Sequence, residues 1–256
     1  SDGVYKLNKN KDLIWHKFEP LNPFSISSSN FESKNGNKFA VDSNGNVWLA
    51  TSSGLNKIQK DNSVRRYFRS NTDNKLLSEN ILSLYYLDSG TLLVGTDRGL
   101  NYYDINNQKF TSESELKNTP IMNIQKMGEE ILLFTNNNIY RISGKSISLY
   151  KSNSFYTNVS FDGKSSLFWK KGYNKILYNG TVFDLKENVN DVFQLNSDFL
   201  ISTDNGLVNV SSRKLIAKKT DNKILKRQNV DLINFYKDNR YKNIKINNFN
   251  SYTFNN

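Results

Sequence analysis

Four short apolar runs organise the chain, each ending in threonine and each followed by a polar turn: Val47-Trp48-Leu49-Ala50-Thr51, Leu92-Leu93-Val94-Gly95-Thr96, Ile131-Leu132-Leu133-Phe134-Thr135 and Phe199-Leu200-Ile201-Ser202-Thr203. Their threonines lie 45, 39 and 68 residues apart. The last interval is twice 34, which predicts a degenerate copy near position 169, where Leu167-Phe168-Trp169-Lys170-Lys171 stands. The runs lack the period-2 alternation of a sheet with one wet face, so both faces of each strand are expected to be covered. Behind each threonine comes a turn and a second strand. Thr51-Ser52-Ser53-Gly54-Leu55, Thr96-Asp97-Arg98-Gly99-Leu100 and Thr203-Asp204-Asn205-Gly206-Leu207 share one pattern. In it glycine supplies a positive φ that closes the turn, and Asn138 is expected to do the same after Thr135. A further turn precedes each run, as at Asp42-Ser43-Asn44-Gly45, Asp88-Ser89-Gly90, Asp162-Gly163 and Asn196-Ser197-Asp198.

Each unit therefore reads as strand, tight turn, apolar strand, glycine turn, strand and a more polar strand. That is a four-stranded antiparallel meander of roughly 35–50 residues, the size of one propeller blade. The pattern predicts an all-β β-propeller with five or more blades, the apolar runs as inner strands, and almost no helix. Ser1-Asp2-Gly3-Val4-Tyr5 resembles the turn at Thr203-Asp204-Asn205-Gly206-Leu207, so the first strands read as the second half of a blade. Propeller is expected over residues 1–220. In 221–256, stretches 231–236 and 241–246 read either as the first two strands of a sixth blade or as the start of a following β-sandwich.

Composition adds three constraints. Apolar residues are 37% of the 256, but 16 Phe, 14 Tyr and 3 Trp supply large β-favouring side chains, so the chain is expected to fold despite 40 Asn. With no Cys, disulfides, thiolate metal sites and cysteine nucleophiles are excluded. No apolar run is long enough to span a membrane as a helix. The net charge of +11 is uneven: from Arg213 onward 11 Lys/Arg face 3 Asp/Glu, giving +8 and leaving +3 for the rest. Such a basic segment fits nucleic acid, anionic lipid or an acidic partner, or else a plain solvated surface; the solvated surface is the favoured reading, and no direct nucleic-acid binding by this region is expected.

Asp42-Ser43-Asn44-Gly45-Asn46-Val47-Trp48-Leu49-Ala50-Thr51-Ser52-Ser53-Gly54-Leu55, with Gly95-Thr96-Asp97-Arg98-Gly99-Leu100 as a second copy, resembles the two-component-regulator propeller repeat. That pattern is Asp-x-x-Gly-Asn-hydrophobic-Trp followed by Gly-Thr-x-x-Gly-Leu. Ala50 takes the place of its glycine, and a leucine replaces the Trp in the second copy. The likeness covers roughly residues 1–212 and implies an extracytoplasmic, periplasmic sensor domain of a hybrid histidine kinase or membrane-bound regulator. It also implies an oligosaccharide or other small ligand, attachment to the rest of a membrane-spanning signalling protein, and a homodimer as one arrangement. The repeat itself carries no ligand residues.

Candidate chemistry is sparse. His16 is the only histidine and reads as an ordinary strand residue, so no Ser-His-Asp triad and no transition-metal site is expected. Asp42-Ser43-Asn44-Gly45-Asn46 resembles the start of a calcium loop, but its twelfth place is Ser53, not Glu. Glu129 and Glu130 are adjacent and point to opposite faces of a strand. Arg65, Arg66 and Arg98 are expected in loops or turns. Catalytic residues, metals and cofactors are thus expected to be none. The one candidate ligand-binding group is Trp169-Lys170-Lys171, where two lysines and an indole stand at the place of the repeat's small residues and Thr. It reads either as an aromatic platform with an anion-facing pocket or as a degenerate repeat whose lysines reach the surface. The leading function is non-catalytic ligand sensing, with a protein-docking propeller and a propeller-type polysaccharide lyase or hydrolase as the alternatives.

Overall fold

The computed structural model describes residues 3–7, 12–31, 36–73, 75–144, 146–195 and 198–211. The strands expected at 231–236 and 241–246, the basic segment 221–256 and most of the turn at Asn196-Ser197-Asp198 lie outside them. The chain divides into two compact units, one up to Val159 and one from Ser160 onward.

In the first unit, β1 (Val4–Leu7) pairs with β2 (Leu13–His16). Three four-stranded antiparallel meanders follow. Blade 1 is β3 (Phe39–Val41), β4 (Val47–Thr51), β5 (Gly54–Ile58) and β6 (Val64–Tyr67). Blade 2 is β7 (Ile81–Leu87), β8 (Thr91–Thr96), β9 (Gly99–Asp104) and β10 (Lys109–Ser112). Blade 3 is β11 (Asn123–Met127), β12 (Glu130–Phe134), β13 (Ile139–Ser143) and β14 (Ser146–Lys151). The only helical turn among the described residues is a 3₁₀ turn at Ser70–Thr72.

The apolar runs are the second strands, flanked on both edges. The strands nearest their counterparts in the next blade are the first ones, since β7 lies beside both β3 and β11. Backbones meet closely there: the Leu84 N–H donates to the Asn37 carbonyl at 2.8 Å, and a methyl on Gly36 would collide with the Leu82 and Met122 carbonyl oxygens.

The runs are non-alternating because each blade is covered on both faces. Trp48, Leu55 and Tyr67 of blade 1 share a buried cluster with Leu92, Tyr103 and Phe110 of blade 2. Leu93 and Leu100, on the other face of blade 2, pack with Ile131, Leu133 and Ile142 of blade 3.

The repeat's threonine holds its turn. In all four copies the hydroxyl donates to the carbonyl of the turn-closing residue: Thr51 to Gly54, Thr96 to Gly99, Thr135 to Asn138 and Thr203 to Gly206, at 2.8–2.9 Å. Gly54, Gly99 and Gly206 have φ of +125°, +133° and +122°, as their role requires. Gly3, at +131°, has the same backbone geometry immediately ahead of β1. Asn138 is not among the positive-φ residues, contrary to expectation. Its turn closes through the Thr135 hydroxyl, which accepts the Asn138 N–H at 3.0 Å.

The second unit holds most of a six-stranded sheet, β15 (Asn158–Phe161), β16 (Ser166–Trp169), β17 (Tyr173–Tyr178), β18 (Thr181–Leu195), β19 (Asp198–Thr203) and β20 (Gly206–Ser211). The fourth and fifth repeats are both in it. They share β18, whose first half pairs with β17 and whose second half pairs with β19. Where separate blades were expected, one 15-residue strand serves as the last strand of one repeat and the first of the next.

Candidate functional site

Trp169 ends β16 one residue before the place of the repeat's threonine, where blade 1 has Ala50, and the strand's apolar pattern carries its indole inward. It is 7% exposed, packed in a cluster with Leu167, Ile176 and Tyr178. Its Nε1–H has no hydrogen-bond partner among the described residues, and neither has the Tyr178 hydroxyl, which is 2% exposed in the same cluster. Lys170, at the threonine's place, has no hydroxyl to donate across the turn, which closes instead by the Tyr173 N–H on the Lys170 carbonyl at 3.2 Å. Gly172 lies inside the turn at φ +80°, and β17 begins at Tyr173.

The altered turn puts both lysines at the surface. Lys170 Nζ lies 4.6 Å from the centroid of the Tyr173 ring, which is 46% exposed. Lys171 is exposed and acts on Asp191. Burial pushes the Asp191 carboxyl up from its usual range, while the Val192 N–H and the Lys171 charge pull it back down. The structure thus brings Lys170 and Lys171 together and separates them from the Trp169 ring, which is core. The exposed aromatic beside them is Tyr173. The signal that could have found it is its position immediately after the turn glycine.

The other sequence candidates have structural partners. Asp42 is buried, and its carboxylate accepts the Asn44 and Asn46 N–H groups, the Asn46 amide and the Trp48 indole N–H at 2.9–3.1 Å. Burial raises its pKa, but the bonds from Asn46 and Trp48 outweigh this and leave it below the ordinary range. Both oxygens of the Asp42 carboxylate are therefore engaged, by the turn's own N–H groups and amide and by Trp48. Glu130 pairs with Arg141 at 3.0 Å, and Glu129 with Lys126 at 3.7 Å. Arg65 and Arg66 lie on β6, not in a loop. Arg66 donates to the Asn22 and Ile26 carbonyls and to the Ser25 hydroxyl, clamping the segment that precedes blade 1. Arg98 is in its expected turn. His16 is buried, and burial followed by the Lys6 charge lowers its pKa. Among the described residues no group of three or more His, Cys, Asp or Glu side chains is placed to hold a metal ion. No helix among them is long and apolar enough to cross a membrane.

Sequence reasoning missed a set of buried asparagines. Asn56, two residues after the turn glycine, accepts the Ser27 N–H at 2.8 Å and donates to the Ser27 hydroxyl at 2.9 Å. Asn101, at the same place in blade 2, accepts the Leu77 N–H and donates to the Lys75 and Thr111 carbonyls. Both fasten the connecting segment ahead of their own blade. The recurring Gly-Leu-Asn at 54–56 and 99–101 was the available signal.

The class this fold defines is an all-β, propeller-like protein of four-stranded antiparallel blades. No protein-family model matches the chain, and no curated protein matches it. Solved structures do. One, described as the extracellular domain of a hybrid two-component system from B. thetaiotaomicron, superposes with a TM-score of 0.64 at 15% identity over 81% of this chain. A second such extracellular domain from the same organism gives 0.56 at 16% identity over 76%. The chain spans 30% and 28% of those two. A catalytically inactive virginiamycin B lyase from Staphylococcus aureus, in complex with quinupristin, gives 0.59 at 13% identity over 81% of this chain and 72% of that one. At these identities the likeness is one of fold.

Proposed function

We propose that this chain is a non-catalytic receiving domain of an extracytoplasmic signalling protein, which binds a soluble oligosaccharide and passes occupancy to the rest of a longer, membrane-spanning polypeptide. The observation that carries the reading is the superposition at TM-score 0.64 on an extracellular two-component-system domain of which the chain spans 30%. In this reading Lys170 and Lys171 meet an acidic sugar, with the exposed Tyr173 ring beside them in the place first given to Trp169. Two ammonium groups on one exposed turn favour an anion, and the attraction weakens as salt shortens the screening length.

The test is calorimetry of the purified chain with acidic and neutral oligosaccharides at low and high salt. Acidic fragments are expected to bind with salt-sensitive affinity that Lys170→Ala/Lys171→Ala weakens without lowering the melting temperature. A double variant that binds acidic fragments like the parent removes these lysines from the site. No heat with any acidic fragment removes the ligand assignment.

One observation favours a second reading, protein docking. Leu7 and Leu13 are 58% and 66% exposed, with the stacked Tyr5–Trp15 pair on the same face of the β1–β2 sheet. Their equivalents in blade 1, Ile58 and Val64, are 2% and 8% exposed.

A further inference from the structure

The packing between consecutive blades changes character in one step. Between blades 1 and 2 the gap is closed by four aromatic rings, Trp48 and Tyr67 from one side and Tyr103 and Phe110 from the other, with centroids 4.5–5.9 Å apart. Strand register gives the equivalent positions between blades 2 and 3. Trp48, opposite Lys57 in blade 1, corresponds to Leu93, opposite Tyr102. Tyr67, opposite Leu55, corresponds to Glu113, whose N–H donates to Leu100. The pair Tyr103 and Phe110 corresponds to the pair Ile142 and Ile147. All four rings are thus replaced by an aliphatic or carboxylate side chain. The apolar contact survives near the first strands, but toward the outer strands a cleft of about 810 Å³ opens. A volume of this order suits a small molecule.

Its floor is one face of blade 2. Leu87, Thr91, Asp104 and Lys109 form a single cross-strand row over all four strands, and the next row carries Tyr102 and Thr111. Gly144, in the β13–β14 turn, stands opposite. Tyr102 is half-buried and donates to Glu113 Oε2 at 3.4 Å. Burial first, then the Glu113 charge and that bond, push its pKa up to about 12, so it stays a neutral ring whose hydroxyl proton is held by Glu113. Asp104 Oδ1 accepts the Asn106 and Asn107 N–H groups, and the bonds to Asn107 come first in holding its carboxyl below the usual range. Asp104 Oδ2 accepts the Asn107 amide at 2.7 Å, so the cleft offers the Glu113 carboxyl group, the remaining lone pairs of Asp104, hydroxyls, one lysine and a half-buried ring.

That lining selects by charge and polarity. An anion would face two carboxylates against one lysine. An apolar ligand would strip water from both carboxylates without replacing it. A hydroxylated ring can donate to the carboxylates while laying its C–H face on Tyr102.

We propose that this interblade cleft is a binding site for an uncharged, hydroxyl-rich ring compound, the chemistry of a short neutral saccharide. It is separate from the Lys170–Lys171 turn and stands whether or not the signalling reading holds.

The test uses saturation-transfer NMR and calorimetry on the whole chain, with cellobiose, maltose and β-1,4-mannobiose as neutral probes. Digalacturonate and spermidine serve as the anionic and cationic comparators. At least one neutral disaccharide is expected to bind saturably below about 10 mM, the weak end of specific small-ligand affinity. Thr111→Trp, which fills the floor, should abolish that binding. Glu113→Gln, which keeps shape and removes charge, should weaken it about tenfold, as expected for a lost charged hydrogen bond. Lys170→Ala/Lys171→Ala should leave it unchanged. The proposal is overturned if no neutral probe binds at about 10 mM, or if only digalacturonate or spermidine binds. It is equally overturned if neutral binding survives Glu113→Gln at parental strength. Should Thr111→Trp fail to fold, Glu113→Gln decides the matter alone.

Discussion

Thr96→Val isolates the hydrogen bond on which the repeat turns. Thr96 is fully buried; its hydroxyl donates to the Gly99 carbonyl at 2.9 Å and accepts the Arg98 N–H at 3.1 Å. Valine fills nearly the same volume, so little cavity is created and the change is one of polarity. A net hydrogen bond contributes about 1 kcal/mol, and a buried polar group left without its partner costs about 1–3 kcal/mol. The two losses at this turn amount to about 2 kcal/mol. For a folded region of this size, 1 kcal/mol moves the melting temperature by about 2–4 °C, so Thr96→Val should melt roughly 4–8 °C lower. Thermal unfolding followed by far-ultraviolet circular dichroism reads the shift, and urea unfolding should show a lower midpoint with an unchanged slope. A variant that melts within about 1 °C of the parent would mean the hydroxyl bond contributes nothing net, and the structural role given to all four threonines would fall.

Two further outcomes follow from the same geometry. Gly99→Ala places a Cβ at φ +133°, about 2.9 Å from the Leu116 carbonyl oxygen and from Leu77 Cδ1, so a loss of about 1–3 kcal/mol is expected; the same substitution at Gly163, where nothing lies within 4 Å of the added carbon, should cost less, and equal losses at the two sites would refute the clash. His16 has a folded-state pKa lowered by burial, so the unfolded chain takes up its proton first: stability is whole above the unfolded value of about 6.5 and declines as pH falls from there toward the folded value. His16→Gln should flatten that part of the melting-temperature profile, and a parental slope in the variant would assign the pH dependence to other groups.

Blade boundaries were legible because the signals that mark them are local. The threonine–glycine turns need one hydroxyl and one positive φ, and both are written in four to five consecutive residues. The merging of the fourth and fifth repeats was not legible. Thr181–Leu195 contains Glu187-Asn188-Val189-Asn190, where a turn would be expected, yet the strand runs through. Asn188 and Asn190 there donate to Asp204 at 3.0 Å, a partner 14 to 16 residues away that no local reading supplies. The burial of Trp169 was not legible for a related reason. The sequence left an aromatic platform and a degenerate repeat both open, and the alternation of a strand end, which puts Trp169 at the inward place of Ala50, is what carries it into the core. The asparagines at 56 and 101 were hidden by composition: in a chain with 40 Asn, two buried ones do not stand out until their partners at Ser27 and Leu77 are seen.

The repeat and the candidate sites are in this sense complementary. Where the motif is intact, its buried polar groups are used within the fold: Thr51 donates to Gly54, Asp42 accepts from Trp48 and Asn56 donates to Ser27. Such groups hold the scaffold, and recognition is expected where the motif is lost. Two such places are visible, the turn where Lys170 stands for the threonine beside Lys171, and the interblade face where Leu93, Glu113, Ile142 and Ile147 replace four rings and leave a cleft. Both departures exchange internal packing or bonding for groups that face water, which lowers stability locally unless something binds. A ligand at either place should therefore raise the melting temperature, whereas restoring the motif, with Trp at 93 and Tyr at 142, should raise it without ligand and close the cleft to one. If the restored chain is instead less stable than the parent, the loss of the rings was not a sacrifice of packing, and the argument that the repeat was relaxed there to make room would not hold.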